Sequence, residues 1–383
     1  MKKIFDFIAR SRFWEYFYLG FLSFIFFTGV IASLIWKENV GAMLWLAEYR
    51  EDICIYLARF YLIREFLSML IYIIENKGVR KDNYLELLKK VCLFIVVFLV
   101  YYGTKRKIYA IYALLVMKGA ETSFDSVMKS YIFSKGAGIV LWVFSYLAGL
   151  LTVIDYGRGY TFGMGHYNDA AFTICFFLVA LWYVYGQKKN VTFSIIFLAV
   201  AVFCYYPINS RTAALTTVIM AFMIWLIKPL FKDEKFKTFG KYLFKIFPLF
   251  MLLSAIAIGI YIYKYGVILD GNMSARFVEI PLSYLEEGVH LVANSSAEIF
   301  NKYVFDNTYA NFIFKRGLIF TVLAMMELTL CCNKIANNMD YGLITVGLYL
   351  FIYGQMEYVV KGELLLVFAI YYFCKTIKKE ETD

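Results

Sequence analysis

The chain has 383 residues, of which 62% are hydrophobic and only 18% charged, and its mean hydropathy is +0.65. Soluble domains run at roughly half apolar and about a quarter charged, so an ordinary soluble enzyme is excluded, as is a disordered chain, which needs low hydrophobicity and high charge. On so apolar a chain a formal net charge of +10 points away from nucleic acid and towards loops sorted across a membrane, with Lys and Arg gathered on the cytoplasmic side.

Apolar runs of around 20 residues make spanning helices. Taken in chain order they predict an all-α, polytopic membrane protein with spans near 13–36, 53–75, 88–103, 107–117, 131–153, 169–187, 191–207, 212–230, 242–265, 309–330, 341–355 and 363–375, about twelve in all. Met1-Lys2-Lys3 resembles a signal n-region, but the first apolar run continues to Trp36 with no small-residue cleavage site, which predicts a retained span. We expect one integral membrane domain over 1–383, with 266–308 as a longer extracytoplasmic loop. Lys/Arg clusters at 2–12, 77–90, 118–129, 188–189, 228–245 and 375–379 place both termini in the cytoplasm. The seven Cys show no CxxC or Cys/His ligand spacing, which indicates neither a disulfide framework nor a zinc site, and no metal and no cofactor is expected.

Most Lys fall on that cytoplasmic side, whereas Arg50, Arg106, Arg158, Arg211, Arg276 and Arg316 fall on the other, with Arg59 and Arg64 inside the second span. A guanidinium offers a planar fork that binds phosphate bidentately, so arginines on the side that the topology rule leaves poor suggest an external anion site. Scattered loop charge is the alternative.

Five segments carry the candidate chemistry. Arg158 to Asp169 holds four nearby glycines (157, 159, 163, 165) and His166 ahead of the sixth span. It reads as a phosphate or sugar cradle, or as a helix start capped by Asn168 or Asp169. In Asn209-Ser210-Arg211-Thr212, Arg211 sits in the first turn of the eighth span, where a cation opposes the helix dipole unless an anion binds or a carboxylate answers it. Arg276 lies between apolar residues in the long loop, which also carries His290, Glu286 and Glu287. Asp306 and Asn307 open the tenth span; either suits an N-cap, and Asp306 is placed for a general base acting on a sugar hydroxyl. Arg316 lies deeper, where a charge needs a partner. Tyr353 to Glu357 sets a carboxylate at the outer end of the eleventh span, and Glu327 is an intramembrane charge that Arg59 or Arg64 could match. No DxD triad, P-loop, Ser-His-Asp or HExxH pattern is present.

This order of motifs resembles the Wzy-type repeat-unit polymerases of bacterial surface polysaccharides and their relatives, the O-antigen ligases. The resembling residues are Gly163, Gly165, His166 and Asn168, then Asn209 to Thr212, Arg276, Asp306, Asn307 and Tyr309 with Gly317 behind, and Tyr353, Gly354 and Glu357. The match covers residues from about 60 to 370, and the short loop and Lys-rich interior are similar to Gram-positive capsule polymerases. Two positions depart from the pattern. Tyr167 stands where the family often has Pro, and Asp306-Asn307 where many relatives have His-Asn, which puts the identity of the base in doubt.

The resemblance implies a fold of the membrane glycosyltransferase C type in the bacterial cytoplasmic membrane. It implies transfer of a growing glycan from undecaprenyl pyrophosphate to a lipid-linked repeat unit, with membrane lipids and a chain-length regulator as further partners and no nucleic acid. Asp306, His166 and Glu357 are then the candidate catalytic residues. Arg158, Arg211, Arg276, Arg316, Asn168, Asn307 and Tyr309 are the candidates for binding substrate and pyrophosphate. A ligase, or a non-enzymatic flippase or transporter of lipid-linked glycan, is the alternative, though the internal repeat common in transporters is absent.

Overall fold

The computed structural model describes residues 12–38, 40–75, 84–154, 160–231, 234–266, 271–293, 305–360 and 362–374. Among them the backbone is helical, with only two isolated β-bridges. Backbone polar groups in hydrocarbon must be satisfied within the segment, which long apolar helices do.

The elements are α1 (Phe13–Ile31), α2 (Gly41–Glu75), α3 (Tyr84–Thr104), α4 (Lys107–Met117), α5 (Phe124–Leu147), α6 (Tyr167–Leu181), α7 (Asn190–Tyr205), α8 (Arg211–Leu230), α9 (Glu234–Tyr265), α10 (Gly271–Glu287), α11 (Leu318–Asn338), α12 (Tyr341–Met356) and α13 (Ala369–Phe373). A π-helical turn, Trp182–Gly186, extends α6, and another, Glu363–Phe368, leads into α13. Seven helical stretches among the described residues are long and apolar enough to cross a membrane: α1, the Leu87–Thr104 part of α3, α5, α6 with its extension, α8, the Phe236–Tyr265 part of α9, and α11. The described residues are therefore those of a helical, multi-span membrane protein. Large apolar side chains point outwards from these helices, among them Phe133 at 78% and Leu253 at 63% exposure, as a surface facing lipid requires.

Helices adjacent in sequence pack as pairs, α7 on α8 and α3 on α4, while α1 lies against α5 and α9 against α11. A main apolar core joins α1 to α13, and a smaller one gathers Val30, Ile31, Leu34, Trp36, Trp142, Leu151, Met164 and Ala170 at one end. There the segment after α1 is pinned between two others. Ile35 N donates to Gly163 O at 2.8 Å, Gly165 N to Ser33 O at 2.8 Å and Thr152 N to Ile35 O at 2.8 Å. Gly163 has φ +85°, and a Cβ there would meet Leu151 at 2.6 Å, so only glycine fits this approach.

Two expectations are corrected. The predicted span 309–330 is divided: a turn Thr308–Ala310 and a π-helical turn Asn311–Lys315 precede Gly317, and α11 begins only at Leu318 and runs on to Asn338. Gly317 makes the break with φ +85° and ψ 165°, a conformation open almost only to glycine. A Cβ there would lie 2.6 Å from the backbone of Val292. Gly317→Ala should therefore cost about 3 kcal/mol or more, read as a lower melting temperature of the detergent-solubilised protein.

Arg59 and Arg64, in turn, do not match Glu327. Arg64 pairs with Glu65 and with Glu121 (2.7 Å) and stacks 4.9 Å over Trp14, at the start of α1. Lys118 joins the same group through Glu65 (3.0 Å) and Glu121 (3.2 Å). Arg59 lies 5.7 Å over the Tyr56 ring. This ion network binds α1, α2 and the turn after α4 at the end of the molecule that carries Trp14.

Candidate functional site

The opposite end brings four of the five motif segments together. The glycine segment is held first. Trp142 Nε1 donates to Phe162 O at 2.7 Å, and Tyr160 N donates to Pro207 O at 3.1 Å, which ties it to the turn before α8. His166, not Asn168 or Asp169, caps α6: its Nδ1 accepts from Asn168 N at 3.2 Å. The Asn168 side chain is committed elsewhere, since its Oδ1 accepts from Ser210 Oγ at 2.8 Å, and both residues are buried. That bond draws the Ser210 hydroxyl away from capping α8, whose N-cap Ser210 makes no side-chain cap bond. Arg211 then stands exposed in the first turn of α8, beside the Ser210–Asn168 bond.

The segment ahead of α11 is locked to the outer end of α12. Asn307 Oδ1 accepts from Tyr309 N (2.9 Å) and Ala310 N (3.0 Å), while its Nδ2 donates to Gln355 O and Oε1, both at 2.8 Å. Thr308 Oγ1 donates to Glu357 O at 2.7 Å, and Gln355 Nε2 reaches Ser254 Oγ on α9 at 2.8 Å. Tyr309 gives its hydroxyl to Phe351 O at 3.2 Å and is fully buried. Asn307 and Tyr309, expected to touch substrate, thus hold the framework: a fully buried amide with four partners has no capacity left for a ligand. Because Asn307 does the capping, Asp306 is not required for it.

Three carboxylates, Asp169, Asp306 and Glu357, lie within electrostatic reach of Tyr358, in the short turn Tyr358–Val360. Burial raises the Tyr358 hydroxyl above its ordinary range, and the negative charges of Asp169, Asp306 and Glu357 raise it further. Asp306 is half-buried, and Glu357 is buried with its backbone held by Thr308. The carboxylates do not form a group that could hold a metal ion among the described residues. Lys315 lies within electrostatic reach of Asp306, Glu279 and Arg316, and its ammonium stands 5.8 Å over the Phe305 ring. Arg316 turns the other way, buried and stacked 4.9 Å over Tyr109 of α4.

An apolar groove of about 900 Å³ opens next to this cluster, between α9, α10 and α11. Ile313 and Phe314 line it immediately before Lys315, and Ile280 lines it immediately after Glu279. Its walls are almost wholly hydrocarbon, with Leu252, Ile256 and Met325 further along.

Of the other candidates, Arg158 lies outside the described residues, and Arg276 is placed on α10 by its backbone. Lys315 and Tyr358 were not expected, whereas Ser210 belongs to the Asn209–Thr212 motif. Lys315 adjoins an arginine and a glycine at a helix start, a pattern that marks it in hindsight; nothing in the sequence singles out Tyr358. No protein-family model matches this chain, and neither does any curated protein or solved structure.

Proposed function

We propose that the protein is a membrane glycosyltransferase that extends a bacterial surface polysaccharide, moving the growing glycan from undecaprenyl pyrophosphate onto a lipid-linked repeat unit. The observation that carries this reading is that Lys315, within electrostatic reach of Asp306, directly follows Ile313 and Phe314, which line an apolar groove. A substrate with a sugar, a phosphate and a long hydrocarbon chain needs a base, a cation and such a groove side by side. In this reading about twelve spans, those shorter than a full bilayer included, cross the membrane with both termini in the cytoplasm, and the site faces outwards.

The step follows from those parts. Asp306 takes the proton of the acceptor hydroxyl, whose oxygen attacks the anomeric carbon of the growing chain. The bond from that carbon to the pyrophosphate oxygen breaks, and the lipid pyrophosphate leaves with the electron pair. Lys315 and the outward arginines, Arg211 and Arg276 with Arg158, stabilise the charge that develops there. His166 and Glu357 position the cradle and the turn that carries Tyr358.

Arg276→Ala and Lys315→Ala are expected to leave single lipid-linked repeat units and no long chain, with the amount of protein in the membrane unchanged. Gel analysis of surface polysaccharide and lipid-linked intermediates checks this. Full-length chains still on the lipid carrier in a gene deletion strain point instead to a ligase, and a normal ladder there opposes any role in assembly.

A further inference from the structure

A second cavity lies along α11 towards α4, and Met326 and Leu330 border both it and the groove described above. It measures about 150 Å³ and is bordered by α3, α4, α11 and the segment leading through α13. Its walls are apolar and aromatic, with Phe320, Tyr109, Tyr112, Tyr372 and Phe373 among them, and Glu327 is the one charged residue that lines it. Met326, which also lines it, is 55% exposed on the outer face of α11, so the cavity reaches the lipid-facing surface.

Glu327 stands nine residues into a helix of 21, roughly 14 Å from its start at 1.5 Å per residue and so near the middle of the span. The nearest cations along the helix are engaged elsewhere. Lys334, two turns on, donates to Tyr371 O (3.2 Å), Tyr372 O (2.8 Å) and Cys374 O (2.9 Å). Arg316, just ahead of the helix, is stacked on Tyr109, itself one wall of the cavity. A carboxylate at this depth needs a partner, and aromatic walls suit a cation. We propose that this cavity is a binding site for a lipophilic ammonium, a protonated amine on an apolar body that enters sideways from the bilayer and pairs with Glu327.

The test uses the purified full chain in lipid nanodiscs, titrated with tritiated dodecylamine. One saturable site per chain is expected, with dodecanol, which has the same tail and no charge, competing at least tenfold more weakly. Glu327→Gln, close in shape, should weaken the saturable binding tenfold or more. Dodecylamine should also protect Glu327 from labelling by dicyclohexylcarbodiimide in the unmutated protein, a readout that needs no variant. Competition by dodecanol equal to that of the amine, retention of binding in Glu327→Gln, or labelling of Glu327 unaffected by the amine would each overturn the proposal. None of these results bears on polysaccharide extension.

Discussion

Asp306→Asn is expected to lower the rate of glycan extension by about two to four orders of magnitude, the range for loss of a general base, in protein that melts as the wild type does. Asn307→Ala is expected to do the reverse in kind. It should remove about 3 kcal/mol of stability, and its activity should fall only as far as folded protein is lost. The contrast follows from how the structure divides labour between neighbours. Asn307 is fully buried and makes four hydrogen bonds, two to the turn it caps and two to Gln355. Losing a cap costs about 0.5–2 kcal/mol, and each buried group left unsatisfied adds about 1–3 kcal/mol. Asp306 is half-buried, makes no part of that cap, and lies within electrostatic reach of Tyr358 and Lys315. Extension rates per folded molecule, alongside thermal melts of both variants, separate the two. Equal activity loss in both, following stability, would remove Asp306 from the chemistry.

The largest stability effect is expected at the other end of the molecule. Glu65→Gln should destabilise the protein by about 3–5 kcal/mol, the cost of breaking a buried ion pair from one side. Glu65 is 1% exposed and answers both Arg64 and Lys118 (3.0 Å). Without its charge, Glu121 alone faces two cations, at 2.7 Å from Arg64 and 3.2 Å from Lys118. Adding Lys118→Met to Glu65→Gln should recover part of the loss, because the excess positive charge then falls by one. A melting series over the two single variants and the double variant measures this coupling. Additive losses would show that Glu65 and Lys118 do not act as a pair.

The places of the helices were legible because lipid enforces apolar length. The predicted spans 88–103, 191–207 and 212–230 sit within a few residues of α3, α7 and α8. The predicted span 309–330 was misplaced because Tyr309 to Phe314 is as apolar as a helix interior, while the break depends on one backbone conformation at Gly317. Pairing between helices was not legible at all. Arg64 and Glu327 were matched because both looked intramembrane, yet Arg64 lies at the level of Trp14 with partners from its own helix and from the turn after α4.

At the site, residue types were legible and their roles were not. Asp306, Asn307, His166 and Asn168 were all found, but which residue caps which helix depends on bonds between distant segments. Ser210 holds Asn168 across 42 positions, and that leaves His166 to cap α6. Lys315 escaped notice because lysines were read as mainly setting topology, and only the fold brings one within electrostatic reach of Asp306.

The most direct measurement supplies the purified protein, reconstituted in lipid, with undecaprenyl-pyrophosphate-linked repeat units from the organism's own polysaccharide and follows the products on a gel. The proposal predicts a ladder of lipid-linked chains that lengthens with time and is absent with Asp306→Asn. Repeat units that stay single, or that only change sides of the membrane, would contradict it.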